Sequence, residues 1–184
     1  MTAVSPAKDR IQANARRRRE RWARRFRPDH IATLIVAEAP PSDLDRYFYF
    51  PAVSTQDSLF RYVVRLVLGM EPTRENKRDL LERLREARVY LIDLSPEPLA
   101  GAHADFVPGL VRRVRRLDPG RIILVKAPVF DAAYSSLREA GLPVVNVRVP
   151  FPGSGQQRNF EVAFSRALRL HPVAANPKRH EAAG

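Results

Sequence analysis

The chain has 184 residues, 45% of them apolar, and a formal net charge of +12. That length suits one domain with a real buried core, and the apolar share excludes a wholly disordered chain. No cysteine is present, which excludes disulfides, thiolate–zinc sites, cysteine nucleophiles and cysteine-held iron–sulfur clusters.

The charge is unevenly placed. Residues 1–28 carry ten basic and two acidic side chains, so +8 of the excess lies in this segment. Residues 7–27 have helical periodicity, with Ile11, Ala15, Trp22 and Phe26 near one face and arginines around them. Trp22 and Phe26 are expected to dock this helix on the domain, and Pro28 marks its end. Arg16, Arg17, Arg18 and Arg19 make the segment a candidate nucleic-acid-binding arm, through screened and salt-sensitive attraction. A solvated helix with no partner explains the segment alone almost as well.

Four strands are expected downstream, at residues 33–37, 88–93, 121–125 and 144–149. The first three are largely continuous β-branched or leucine runs, the pattern of strands covered on both faces. The fourth alternates more, which suits an edge. Helical segments separate them at about 55–68, 74–87, 104–117, 129–140 and 156–170, the fourth of these stopped by Gly141. Alternating strands and helices predict a three-layer α/β/α domain over residues 29–170, with a central, mainly parallel, four-stranded sheet. Residues 171–184 show no periodicity and are expected to form a loose tail.

In open α/β sheets ligands bind beyond the carboxyl ends of the strands, so the junctions there are the candidate site. The first strand leads to Glu38-Ala39-Pro40-Pro41, then to the aromatics Tyr47, Phe48, Tyr49 and Phe50. The second ends at Asp93, the third at Lys126, and the fourth opens into Pro150-Phe151-Pro152-Gly153-Ser154-Gly155. Glu38, Asp93 and Lys126 are what a polar pocket above a sheet would present, although any one of them also fits a helix cap or an ion pair. Gly153-Ser154-Gly155 before a helix, with Arg158 beyond, suits an anion at free amides or a plain turn. Of the aromatics, two are expected to be buried and one to face the pocket, where it could stack on a base. No strand is followed by a Walker A or GxGxxG pattern, so nucleotide cofactors of those types are not indicated. His30, His103, His171 and His180 are not paired at metal-ligand spacing within one element, and no metal site is assigned.

This order of strands and loops resembles the uracil-DNA glycosylase superfamily over about residues 31–170. The likeness is greatest to the branch whose first motif reads Gly-Glu-Ala-Pro-Gly, here Ala37-Glu38-Ala39-Pro40-Pro41. The resemblance implies a fold that grips DNA, flips a nucleotide and holds its base in a pocket. It implies that Glu38 orients or activates water, that Phe48 or Phe50 stacks on the base, and that Asp93 stands where the family usually has a base-reading Asn. It also sets Phe151 through Ser154 where the family has a His-Pro-Ser motif. Phe151 removes a donor that would stabilise the departing base, and Asp93 lacks the amide donor unless its carboxyl is protonated. Lys126 is a candidate substitute for the missing positive charge. The iron–sulfur cysteines of the similar branch are absent, so no cofactor is expected. These departures point away from ordinary uracil excision.

Three functions follow as expectations. The first is a divergent DNA glycosylase hydrolysing the N-glycosidic bond of a damaged or modified base. The second is a non-catalytic nucleic-acid or nucleobase binder of the same fold. The third is an interaction protein using Trp22 and Phe26 as a partner-facing stripe. No apolar run approaches the ~20 residues of a membrane span, and no apolar secretory stretch opens the sequence. A monomeric cytoplasmic protein is expected.

Overall fold

The structure is a computed structural model that describes residues 6–52, 57–98 and 101–170, with side chains from Arg10 onward. The expected tail at 171–184 lies outside the described residues, as do residues 55 and 56 of the second expected helix. Helix α1 (Pro6–Arg25) leads into strand β1 (Thr33–Ala37), followed by α2 (Ser58–Leu68) and α3 (Lys77–Glu86). Strand β2 (Val89–Asp93), helix α4 (His103–Leu117), strand β3 (Ile122–Leu124), α5 (Ala127–Glu139) and α6 (Gln157–Arg169) complete the order.

The three strands form a parallel sheet in the order β2-β1-β3. All five residues of β1 are buried, as a strand needs when both faces are covered. Two helix sets supply the cover: α4 packs on α5, while α2 packs on α3 and α6. The aliphatic runs of the strands and the apolar stripes of these helices make one continuous core.

The expected fourth strand is corrected. Residues 144–149 run beside β3 but pair at only two places, the parallel bridges Ile122↔Val144, to β3, and Val125↔Val149, just past its end. Between them the chain bonds to itself. The Val144 amide donates to the Leu142 carbonyl at 2.8 Å, and the Val147 amide donates to Val145 at 3.0 Å. Such three-residue turns divert donors from a continuous ladder.

The face of α1 also differs from the expected stripe. Arg19 and Ala23 on the helix and Phe26 just past its end are buried, whereas Ile11 is 52% exposed. Phe26 stacks between Trp22 and Tyr49, each with ring centroids 6.2 Å away. The helix is thus docked as expected, but through its second half. Because Trp22 packs against the core, the reading of Trp22 and Phe26 as a partner-facing stripe loses its anchor.

The outer edge of β2 is closed by side chains. The Tyr49 hydroxyl donates to the Leu91 carbonyl at 3.1 Å and accepts from the Leu91 amide at 2.7 Å. Arg113 donates to the carbonyls of Asp93 and Leu94 at 2.8 and 2.6 Å. An edge satisfied in this way offers no template for another strand.

Candidate functional site

From β1 the chain crosses to β2 on one side, and β3 lies on the other. The strand order therefore reverses at β1, and the crevice beyond the ends of β1 and β3 is where a ligand has access. Glu38 follows β1 and Lys126 follows β3, and both border a cavity of about 220 Å³ there. Asp93 from β2, Tyr47 and Phe48 from the aromatic segment, and Phe151 from the last loop complete its functional wall. That volume is small beside the ~300–1,000 Å³ of sites for drug-sized ligands, so it suits a single ring system.

Glu38 is held from two sides. Its Oε1 accepts from His103 Nε2 at 2.7 Å, and its Oε2 accepts from the Lys126 ammonium. Burial alone would push its carboxyl up, but the hydrogen bonds and charges of Lys126 and His103 outweigh burial and leave it below the ordinary range. Glu38 is therefore an ionised carboxylate at neutral pH, which makes the His103 nitrogen facing it the donor. His103 was not singled out by sequence. It opens α4, ten residues past Asp93, beyond the short stretch after β2 that position alone marks as pocket. Among the described residues, no third His, Asp or Glu joins this pair to make a metal-ligating group.

Lys126 has φ 83° and ψ 131°, a backbone state that a residue with a Cβ rarely adopts. It costs of order 1–3 kcal/mol and occurs most often at functional sites. The surroundings fix it: the Lys126 amide donates to the Val149 carbonyl at 2.9 Å, and α5 begins at the next residue, with proline in its first turn, where proline is well tolerated.

Asp93 is half-buried at the cavity wall. Burial pushes its carboxyl up to about 7, against the lowering pull of Arg113 and Arg19. It is therefore the one cavity carboxyl, of Glu38 and Asp93, that changes charge near neutrality.

Of the four adjacent aromatics, Phe48, Tyr49 and Phe50 are buried, and Tyr47 is half-buried. Phe48 meets Tyr49 and Phe60 edge-on, at 5.0 and 5.3 Å between centroids, and with Tyr47 borders the cavity. Of Phe48 and Phe50, it is Phe48 that borders the cavity. Phe50 lies outside the cavity wall, packed on Tyr47 and beneath the Arg18 guanidinium, 4.3 Å from the ring centroid. Beneath the cavity Lys77, fully buried, donates to Asp57 at 2.6 Å and to the Ala52 carbonyl at 3.2 Å. Asp57 and Arg46 also border the cavity; with Lys77, they carry no local pattern that marks them in the sequence.

Phe151 is 42% exposed at the cavity mouth. A Cβ at Gly153 would lie 3.1 Å from its ring, close enough that the ring would have to give by a few tenths of an ångström. Ser154 and Arg158 are exposed and stand outside the cavity wall.

The four arm arginines are mostly engaged within the chain. Arg19 is 5% exposed and donates to Glu97 at 3.0 Å, which corrects its expected place on a free basic surface: it faces the core side of α1. Arg18 pairs with Asp45 at 3.0 Å, Arg16 with Glu20 at 2.8 Å, and Arg17 donates to Asn14 at 2.5 Å. No helix among the described residues is long and apolar enough to cross a membrane.

Comparison of the chain with protein-family models, with curated proteins and with solved structures returned no significant match.

Proposed function

We propose that the chain is a divergent member of the uracil-DNA glycosylase superfamily that takes one flipped base into the 220 Å³ cavity and hydrolyses its N-glycosidic bond. The observation that carries this reading is the charge arrangement at the strand ends: a carboxylate, Glu38, held between the His103 Nε2 and the Lys126 ammonium. Cleavage of a glycosidic bond builds positive charge on the sugar and negative charge on the leaving base. A preorganised carboxylate stabilises the first and can orient the attacking water, while the Lys126 ammonium and His103 stabilise the second. Phe48 and Phe151 supply apolar walls for a flat ring. Asp93, protonated below about pH 7, donates to an acceptor on the base edge, as an amide would. Above that pH it only accepts.

One observation favours the alternative, a nucleobase binder without chemistry. The exposed loop residue Phe151 brings no proton donor to the mouth. Single-turnover incubation with single-stranded oligonucleotides carrying different base lesions separates the two. The enzyme reading expects abasic product from at least one lesion and its loss in Glu38→Gln. Binding that needs Phe151 but yields no product from any lesion establishes the binder.

A further inference from the structure

A second cavity, of about 520 Å³, lies between α1, β2 and α4, and shares Tyr47, Leu91 and Asp93 with the first. Five arginines border it, Arg16, Arg19, Arg24, Arg113 and Arg116, against the acids Glu20 and Asp93. The partners of these arginines are unequal. Arg16 and Arg19 are neutralised by Glu20 and Glu97, and Arg113 is spent on the carbonyls that end β2. Arg24 and Arg116 make no ion pair among the described residues, and Arg24 has only a 3.4 Å contact to the Glu20 carbonyl of its own helix. The cations also crowd one another. Burial lowers the Arg113 guanidinium's affinity for its proton; the Asp93 charge opposes this, while the charges of Arg16 and Arg116 add to it. With Arg16 and Arg19 paired to Glu20 and Glu97 and Arg113 facing Asp93, the charges of Arg24 and Arg116 are the surplus that an anion would balance. Tyr90, its hydroxyl kept protonated by burial, adds a neutral donor to the same wall.

We propose that this groove is a phosphate-binding site that carries the phosphodiester backbone of a nucleic-acid strand, with Arg24 and Arg116 as its principal contacts. Guanidinium matches a phosphate's two free oxygens with paired donors. The groove adjoins the base cavity through Asp93 and Tyr47, so a strand along it passes the cavity. The choice of a polymer as ligand rests on the function proposed above; the phosphate chemistry does not.

The test measures binding of a fluorescent oligonucleotide by anisotropy over a range of salt concentrations. It compares the full chain, Arg24→Gln/Arg116→Gln, and a control, Arg78→Ala/Arg138→Ala, whose exposed arginines border neither cavity. Circular dichroism verifies that each is folded. Losing two single-strand phosphate contacts should flatten the plot of log affinity against log salt by about 1.4, or ~0.7 for each, while the control keeps the parent slope. Equal slopes for the two double variants overturn the proposal. A second ligand, an oligomer of abasic residues throughout, separates the two readings. If it binds through Arg24 and Arg116 while Glu38→Gln and Phe151→Ala change nothing for any base-bearing strand, the groove stands and the base cavity falls. If only base-bearing strands bind, the groove falls. Excess nucleoside monophosphate that displaces the abasic oligomer extends the ligand to free nucleotides, and failure to displace confines it to the polymer.

Discussion

Asp93→Asn is the substitution whose effect is most fully determined by the structure. The folded carboxyl titrates at about 7 rather than at an ordinary 3.8. Between those pH values the folded chain keeps a proton that the unfolded chain has lost, so unfolding releases it and stability falls as pH rises. Below the lower value both states are protonated and no penalty exists; above about 7 both are ionised and the penalty is constant. Its ceiling is roughly 4 kcal/mol at about 1.36 kcal/mol per pH unit. Asp93 is half-buried rather than sealed, so hydration reduces this, and about 2–4 kcal/mol is expected. An asparagine has no such charge. Urea unfolding followed by Trp22 fluorescence, from pH 4 to pH 8, should show the parent losing about 2–4 kcal/mol relative to Asp93→Asn, most of it between about pH 5 and 7. Using the difference between the two proteins removes contributions of other carboxylates, Glu38 among them. Parallel stability curves over that range would refute the reasoning, because they would mean that the carboxyl is as well solvated folded as unfolded.

Three further outcomes follow from other contacts. Asp57→Asn strands the fully buried Lys77 ammonium and should cost about 3–5 kcal/mol. Adding Lys77→Met should cost less than the sum of the two single losses, with a coupling of about 2 kcal/mol in urea unfolding, and simple additivity would mean that the pair does not interact. Lys126→Gly and Lys126→Ala both lose the pair with Glu38, but glycine tolerates φ 83°, so the glycine variant should be the more stable by about 1–2 kcal/mol. An alanine variant of equal stability would remove the claim of strain. Tyr49→Phe leaves the Leu91 amide and carbonyl without their edge partner. It should cost about 1–3 kcal/mol and accelerate hydrogen exchange at the Leu91 amide, and unchanged exchange would contradict that role.

What the sequence could reveal followed from how local each signal was. The run Thr33 to Ala37 marks a strand buried on both faces, and β1 spans those residues. The helices lie close to their expected segments because a stripe such as Val107, Leu110 and Val114 repeats at helical spacing, and these residues are buried on α4. Residues 144–149 looked like a strand by composition, yet whether their amides join a ladder depends on local turns that no alternation pattern records. In the site, Glu38, Asp93 and Lys126 were legible because each stands at the end of a strand run. His103 was not, because the loop that returns it to Glu38 is a tertiary event. The same holds for Lys77, whose surface-like residue type conceals a fully buried ion pair, and for Arg19, which looks like its arginine neighbours but lies on the packed face of α1. Periodicity likewise placed Ile11 on the apolar face, but among the described residues nothing covers it, and it is 52% exposed.

The most direct measurement of the central claim is single-turnover product formation from a panel of lesion-bearing oligonucleotides, with the parent chain and Glu38→Gln side by side. The account predicts alkali-labile abasic product from at least one lesion with the parent, and product formation slowed by about 10²-fold or more in Glu38→Gln, with the fold intact. Equal rates in the two proteins, or no product from any lesion, would contradict hydrolysis at this cavity.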